Sequence, residues 1–132
     1  MVKRDYLRVS PSTGAPVEVS LSLEGLRGPE DPDGADPFLK VRNISAGGVM
    51  IQISDAMPGR DGLLPAGRML NNIQLSLPGQ GTCVLAGIVR FSYGSLRGIE
   101  FLPNEREQKK LARYVRRREE ELQGEMQGRL PW

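Results

Sequence analysis

The chain has 132 residues, with 18 Lys and Arg against 16 Asp and Glu and a net charge of +2 at pH 7. That is enough for one domain with one modest core, and too little charge for a polycation that coats nucleic acid. There is no histidine and a single cysteine, Cys83, which excludes Ser-His-Asp and Cys-His catalysis, His-ligated metals, internal disulfides and CxxC sites.

Residues 1–14 read as an N-terminal arm. Lys3, Arg4 and Arg8 lie on it, two arginines four residues apart with a lysine beside them. A guanidinium fork matches phosphate oxygens and the O6/N7 edge of guanine, and its flat face stacks on rings. The arm is therefore a candidate grip for a compact anionic guanine ligand, although the spacing alone fits a solvated arm equally well. The leader "MVKRDYLRV" has no apolar core of a signal peptide. No run nears the ~18 apolar residues of a membrane span. A cytoplasmic location is expected.

Val17, Val19, Leu21 and Leu23 alternate with Glu18, Ser20, Ser22 and Glu24, the period of a strand with one wet face. "LRGPEDPDGADP" (26–37) is a Pro-, Gly- and Asp-rich surface loop. Its acids lack the ligand order and closing glutamate of a calcium loop, so no metal is assigned. "PFLKVRN" is a second strand. "NISAGG" follows it, with Asn43 and Ser45 at alternate positions and Gly47 and Gly48 beside them. At a strand end the two polar side chains can face one way, and the glycines permit positive φ or close approach of another group. Taken alone, the stretch fits better a tight turn whose Asn and Ser bond the local backbone, which needs no ligand.

Further alternating runs are "GVMIQIS", "NIQLSLPG" and "TCVLAGIVRFSY", and "LRGIEFL" is a further short strand. In the third, Cys83, Leu85, Val89 and Phe91 share a face, Cys83 reads as an inert core thiol, and Gly87 suggests a bulge or bend. Phe38, Phe91, Tyr93 and Phe101 read as core. "PGQG" (78–81) and "YGS" (93–95) are hairpin turns. Six short strands over 15–102 predict a mainly β fold, a six-stranded antiparallel barrel.

The period then changes. A helix is expected over 104–123, with Asn104 as N-cap, Glu107 reaching back to it, and an end near Gly124. Leu111, Tyr114, Val115 and Leu122 form a stripe for the barrel wall or for a partner. The run Arg116–Arg118, with Arg113, is the most basic stretch; Arg116 with Glu120 and Arg117 with Glu121 fall at i,i+4, so it reads as a self-paired solvated face rather than a nucleic-acid surface. Residues 124–132, with Trp132, read as a loose tail.

Arg4-x-x-x-Arg8 before the first alternating strand, then Asn43-x-Ser45-x-x-Gly48 after the second, resembles the PilZ family. That family's pattern is RxxxR followed by D/N-x-S-x-x-G on a six-stranded barrel with a C-terminal helix, and "LRGIEF" is similar to its final strand. The resemblance spans about residues 3–122 and implies a single PilZ-like domain over 1–132. It implies a receptor for cyclic di-GMP, a bacterial second messenger, and not an enzyme. Carried over, Arg4 and Arg8 would clamp phosphates and guanine edges, with Lys3 adding a point charge. Asn43 and Ser45 would bond a guanine or hold the turn that meets it, and Gly47 and Gly48 would clear space.

The expected mechanism is ordering of the arm by ligand, signalling to an upstream domain or partner protein outside this chain; a homodimer through the helix stripe is open. The family's outputs are flagellar braking, polysaccharide synthesis and transcription. Two rival readings are a PilZ-like adaptor without a nucleotide and a small basic barrel for RNA or single-stranded DNA. The second fits poorly, because such barrels carry exposed aromatic platforms and aromatics are only 5% here. No carboxylate pair stands out for hydrolysis.

Overall fold

The computed structural model describes residues 8–12, 14–21, 39–54 and 64–128, with side chains as far as residue 124. Six strands and one helix follow in order: β1 (Glu18–Leu21), β2 (Leu39–Ile44), β3 (Gly48–Ile53), β4 (Met69–Leu77), β5 (Gly81–Tyr93), β6 (Leu96–Phe101) and α1 (Glu105–Gly128). The expected Lys3, Arg4, Leu23, the 26–37 loop, Phe38 and Trp132 lie outside the described residues.

The strands form one antiparallel sheet in the order β1-β4-β5-β6-β3-β2. Its edge strands, β1 and β2, come back into contact, giving the expected barrel, nearly closed. Alternation does the sorting: Val19, Val41, Ile51, Ile73, Leu75, Leu85, Val89 and Ile99 face inward and are almost wholly buried. Ser20 departs from the expected wet face and is also buried. Both predicted hairpin turns form, with Gly79 at φ 81° and Gly94 at φ 58°.

Three ladders carry an extra residue. Arg42 interrupts β2 against β3, Asn71 and Asn72 lie opposite one residue of β5, and Arg90 interrupts β5 against β6. None of these is Gly87, where the sequence suggested a bulge or bend; Gly87 is paired in both its ladders. Gly87 serves a different need: a Cβ there would sit 2.7 Å from the Glu100 carbonyl oxygen. The Arg90 bulge reverses the alternation, so Phe91 and Tyr93 are exposed at 41% and 79%, contrary to the expectation of core, while Phe101 is buried as expected. Arg97 is buried too, and its Nη1 donates to the carbonyls of Gly94 (2.6 Å) and Leu96 (2.8 Å), bracing the β5–β6 turn.

Asn104 caps α1 as predicted, its Oδ1 accepting from Glu107 N at 3.2 Å. Glu107 does not reach back. Gln108 Oε1 accepts from Asn104 N at 3.2 Å instead, and Glu107 Oε1 accepts from Val84 N at 2.9 Å, which fastens the helix to β5. Leu111, Tyr114 and Val115 pack on the barrel, with Leu122 half-buried beside them. The helix passes Gly124 and runs to Gly128, because nothing at Gly124 reverses the backbone into positive φ. The expected solvated arginine face is corrected at Arg118, which is buried: it pairs with Glu121 at 3.3 Å, and its Nε donates to Ser10 O at 2.8 Å.

Candidate ligand-binding site

The arm is pinned immediately after Arg8. Val9 is buried and exchanges two backbone hydrogen bonds with Ile44 at the end of β2, Val9 N to Ile44 O at 3.0 Å and the reverse at 2.9 Å. This bridge sets Arg8 beside Asn43, and Arg8 Nη1 donates to Asn43 Oδ1 at 3.1 Å. Asn43 is available there because the extra residue Arg42 reverses the alternation of β2: Asn43 pairs with Met50 on the outer face and Ile44 turns inward. The amide thus orients the guanidinium, using one of its five donors.

Ser45 does a different job. It is buried, and its Oγ accepts from Gly47 N and Gly48 N, both at 3.1 Å, while its own N–H donates to Gly48 O at 2.9 Å. Asn43 and Ser45 therefore do not face one way: the first holds an arginine and the second builds the turn. Neither Gly47 nor Gly48 has positive φ. Gly48 is needed because a Cβ would fall 2.5 Å from the Ile99 carbonyl oxygen, so the space it clears is for the neighbouring strand. The turn is held from two further sides, by Phe101 N to Gly47 O at 2.9 Å and Gln108 Nε2 to Ala46 O at 3.2 Å.

Arg8 and this turn wall one side of a cavity of about 380 Å³, within the range of about 300–1,000 Å³ for small-molecule sites. Val49 and Ile99 also line it, and Arg90, Phe91 and Glu100 contribute from β5 and β6. The Phe91 ring lies against Gly98, where any side chain would collide with it. Arg90 Nε meets Glu100 Oε1 at 2.6 Å in an exposed ion pair. The cavity thus combines a positioned guanidinium, an aromatic ring, a second arginine and a backbone turn. Those features suit a flat, hydrogen-bonding, anionic ligand.

Sequence reasoning found Arg8, Asn43, Ser45, Gly47 and Gly48, which the structure brings together. It missed Arg90, Phe91, Gly98 and Glu100. Their only sequence signal was an arginine interrupting an otherwise alternating run. Among the described residues no group of three His, Cys, Asp or Glu could hold a metal. No described helix is long and apolar enough to cross a membrane.

The single thiol lies away from this cavity. Burial, reinforced by Glu107, pushes Cys83 up to about 11, and its Sγ faces Glu107 O at 3.2 Å.

A curled six-stranded sheet with a C-terminal helix and a cavity beside the β2–β3 turn defines a small, nearly closed β-barrel. Residues 3–117 match the family model of the PilZ domain, and the chain belongs to that family. It is similar in fold to the PilZ domain of YcgR from Escherichia coli, a structure with c-di-GMP: TM-score 0.67, 16% identity, covering 96% of this chain and 98% of that one. It is also similar to MrkH of K. pneumonia in its c-di-GMP complex (TM-score 0.58, 14% identity, 87% of this chain and 52% of that one). A third likeness is to the Bacillus subtilis inhibitor of motility MotI/DgrA (TM-score 0.57, 19% identity, 90% and 52%). No curated protein sequence matches the chain.

Proposed function

We propose that this domain is a cyclic di-GMP receptor that signals by a change in its arm, and that it catalyses no reaction. The observation that carries this reading is the Arg8 guanidinium, held by Asn43 at the edge of a cavity whose wall is the Ser45–Gly48 turn. Family membership and the c-di-GMP complexes of two fold relatives support the choice of ligand.

Arg8 supplies a planar fork for a phosphate or the guanine O6/N7 edge. Phe91 offers a ring face, and the exposed Arg90–Glu100 pair, worth about 0–1 kcal/mol, is weak enough to be exchanged for a ligand phosphate. Lys3 and Arg4 complete the cationic set, and Asn43 fixes the direction of Arg8. Ser45 and the two glycines act by shaping the turn. Ligand bound across Arg8 and the turn biases the arm just upstream of the Val9 bridge, and the signal passes there to an attached domain or partner. A cytoplasmic location goes with this ligand, and motility or surface-polysaccharide control is the matching output. The domain organisation that accompanies the reading is one unit over 1–132.

Calorimetry with cyclic di-GMP tests it and gives the stoichiometry. Binding is expected, and Arg8→Ala is expected to weaken it by about 1.5–3 kcal/mol, the scale of a hydrogen bond to a charged group. The thermal midpoint without ligand should stay nearly unchanged. No heat with folded protein would instead favour an adaptor that works by protein contact alone.

A further inference from the structure

Glu100 is, among the described residues, the only acidic side chain on the wall of the cavity beside the β2–β3 turn, where Arg8 and Arg90 are the cations. A carboxylate repels a phosphate, so it weakens a pocket for a doubly anionic ligand unless it meets a donor-bearing part of that ligand. We propose that Glu100 sets base specificity: its carboxylate accepts from the N1–H and N2–H of a guanine and so selects guanine over bases that lack this pair of donors. The inference rests on the reading of this cavity as the cyclic di-GMP site.

The strand puts Glu100 where a base would meet it. Ile99 and Phe101 are buried in the barrel, so Gly98 and Glu100 lie on the outer face of β6. The Phe91 ring covers Gly98 on that face. Gly98 and Glu100 are separated by about 7 Å along the strand, a distance that a glutamate side chain and one hydrogen bond of about 2.8 Å span together. On its other side Glu100 is paired with Gly48 of β3, which has no side chain to cover it. A flat base set against the Phe91 ring therefore has an edge within reach of the carboxylate.

The contact with Arg90 does not occupy that carboxylate fully. Arg90 Nε meets Oε1 at 2.6 Å, and the two side chains are 60% and 45% exposed. A carboxylate has two acceptor oxygens and no donor, so Oε2 is available to a ligand. When Arg90 turns to a ligand phosphate, Glu100 is left as a lone acceptor beside an anion, and two parallel N–H donors restore its balance. Guanine carries such a pair, N1–H and the N2 amino group, on its Watson–Crick edge, while its O6 and N7 accept from a guanidinium. Adenine has an acceptor at N1, and hypoxanthine lacks the N2 amino group. The arginines thus take the acceptors and phosphates of the ligand, and Glu100 takes its donors.

The test is calorimetry of the full chain with cyclic di-GMP and with its inosine analogue, cyclic di-IMP. The analogue keeps both phosphates, N1–H, O6 and N7 and lacks only the N2 amino groups. In the parent it is expected to bind roughly tenfold or more weakly than cyclic di-GMP, the scale of one hydrogen bond to a charged acceptor. In Glu100→Ala that ratio should fall toward unity. The position is half-exposed and its ion pair is weak, so the fold should survive, and an unchanged thermal midpoint checks this. Releasing Arg90 alters phosphate attraction equally for both ligands, so it cancels in the ratio. A parent that binds both ligands equally, or a Glu100→Ala variant that keeps the parent's ratio, overturns this assignment and leaves the receptor reading standing. No binding of cyclic di-GMP by the folded parent overturns the receptor reading and this inference with it.

Discussion

Gly48→Ala isolates the close strand contact beneath the candidate site. The new Cβ would stand 2.5 Å from the Ile99 carbonyl oxygen, 3.5 Å from its carbon and 3.6 Å from Glu100 Cα. These atoms are backbone of β6, paired with β3 through Gly48–Glu100 and Val49–Ile99. Ordinary contact begins near 3.5 Å, so the strands must part by about 1 Å at this point. Overpacking of this kind destabilises by about 1–3 kcal/mol. Moving Gly48 also strains the Ser45 N to Gly48 O bond at 2.9 Å and the Gly48 N to Ser45 Oγ bond at 3.1 Å, and each such bond contributes about 0.5–1.5 kcal/mol. Alanine's stiffer unfolded chain returns about 0.4–1 kcal/mol. The net expectation is a loss of about 2–3 kcal/mol, seen in urea unfolding and as a Tm lowered by roughly 5–15 °C. A fall of less than about 2 °C, the least that 1 kcal/mol produces even in larger domains, would refute the claim that Gly48 is set by the Ile99 carbonyl.

Gly124→Ala is the opposite case: the site is helical and open, so stability should rise by about 0.5–1 kcal/mol in the same urea assay. The Val84 N–H and Lys110 hold the Glu107 carboxyl below its usual range. Its stabilisation is therefore complete above the ordinary carboxylate pKa and is lost as pH falls toward the lowered folded value. In acid titrations followed by circular dichroism, Glu107→Gln should be less stable than the parent near neutrality and show a shallower decline below about pH 4.3. Cys83 behaves with the reverse sign. Its folded value of about 11 against an ordinary 9.0 means stability should fall as pH rises through that window, a slope that Cys83→Ala should reduce, leaving the part that the buried Tyr114 hydroxyl adds. Alkylation of native Cys83 should be slow at pH 8, and rapid modification would show the thiol to be accessible.

Period-two alternation in the sequence made β1, β3, β4 and β5 legible, although Ser20 on the expected wet face of β1 is buried, and the change to helical spacing after Phe101 made α1 legible. Arg8, Asn43, Ser45 and the glycines were legible as a spaced pattern. Their division of labour was not: whether Ser45 faces a ligand or its own turn depends on where Gly47 N and Gly48 N point, which only the folded backbone decides. Phe91 was misread for a related reason. Alternation can be extended through Arg90 on paper, but the ladder gains a residue there and the faces exchange. The burial of Arg97 and Arg118 was illegible because the bonds that tie them into the fold run to carbonyl oxygens of Gly94, Leu96 and Ser10, and backbone acceptors leave no mark in a sequence, although Arg118 also pairs with Glu121 one turn on.

Arg42 and Arg90 are supernumerary to their ladders, each opposed by no residue of its own. Deleting either would bring Val41 next to Asn43, or Val89 next to Phe91, with both neighbours keeping the faces they now occupy. Deleting any regularly paired neighbour would invert everything beyond it as far as the next turn. Among the described residues, the barrel therefore has two positions beside the candidate site where chain length can vary by one without a change of fold, and relatives that differ in length there can keep the same architecture while changing its local charge.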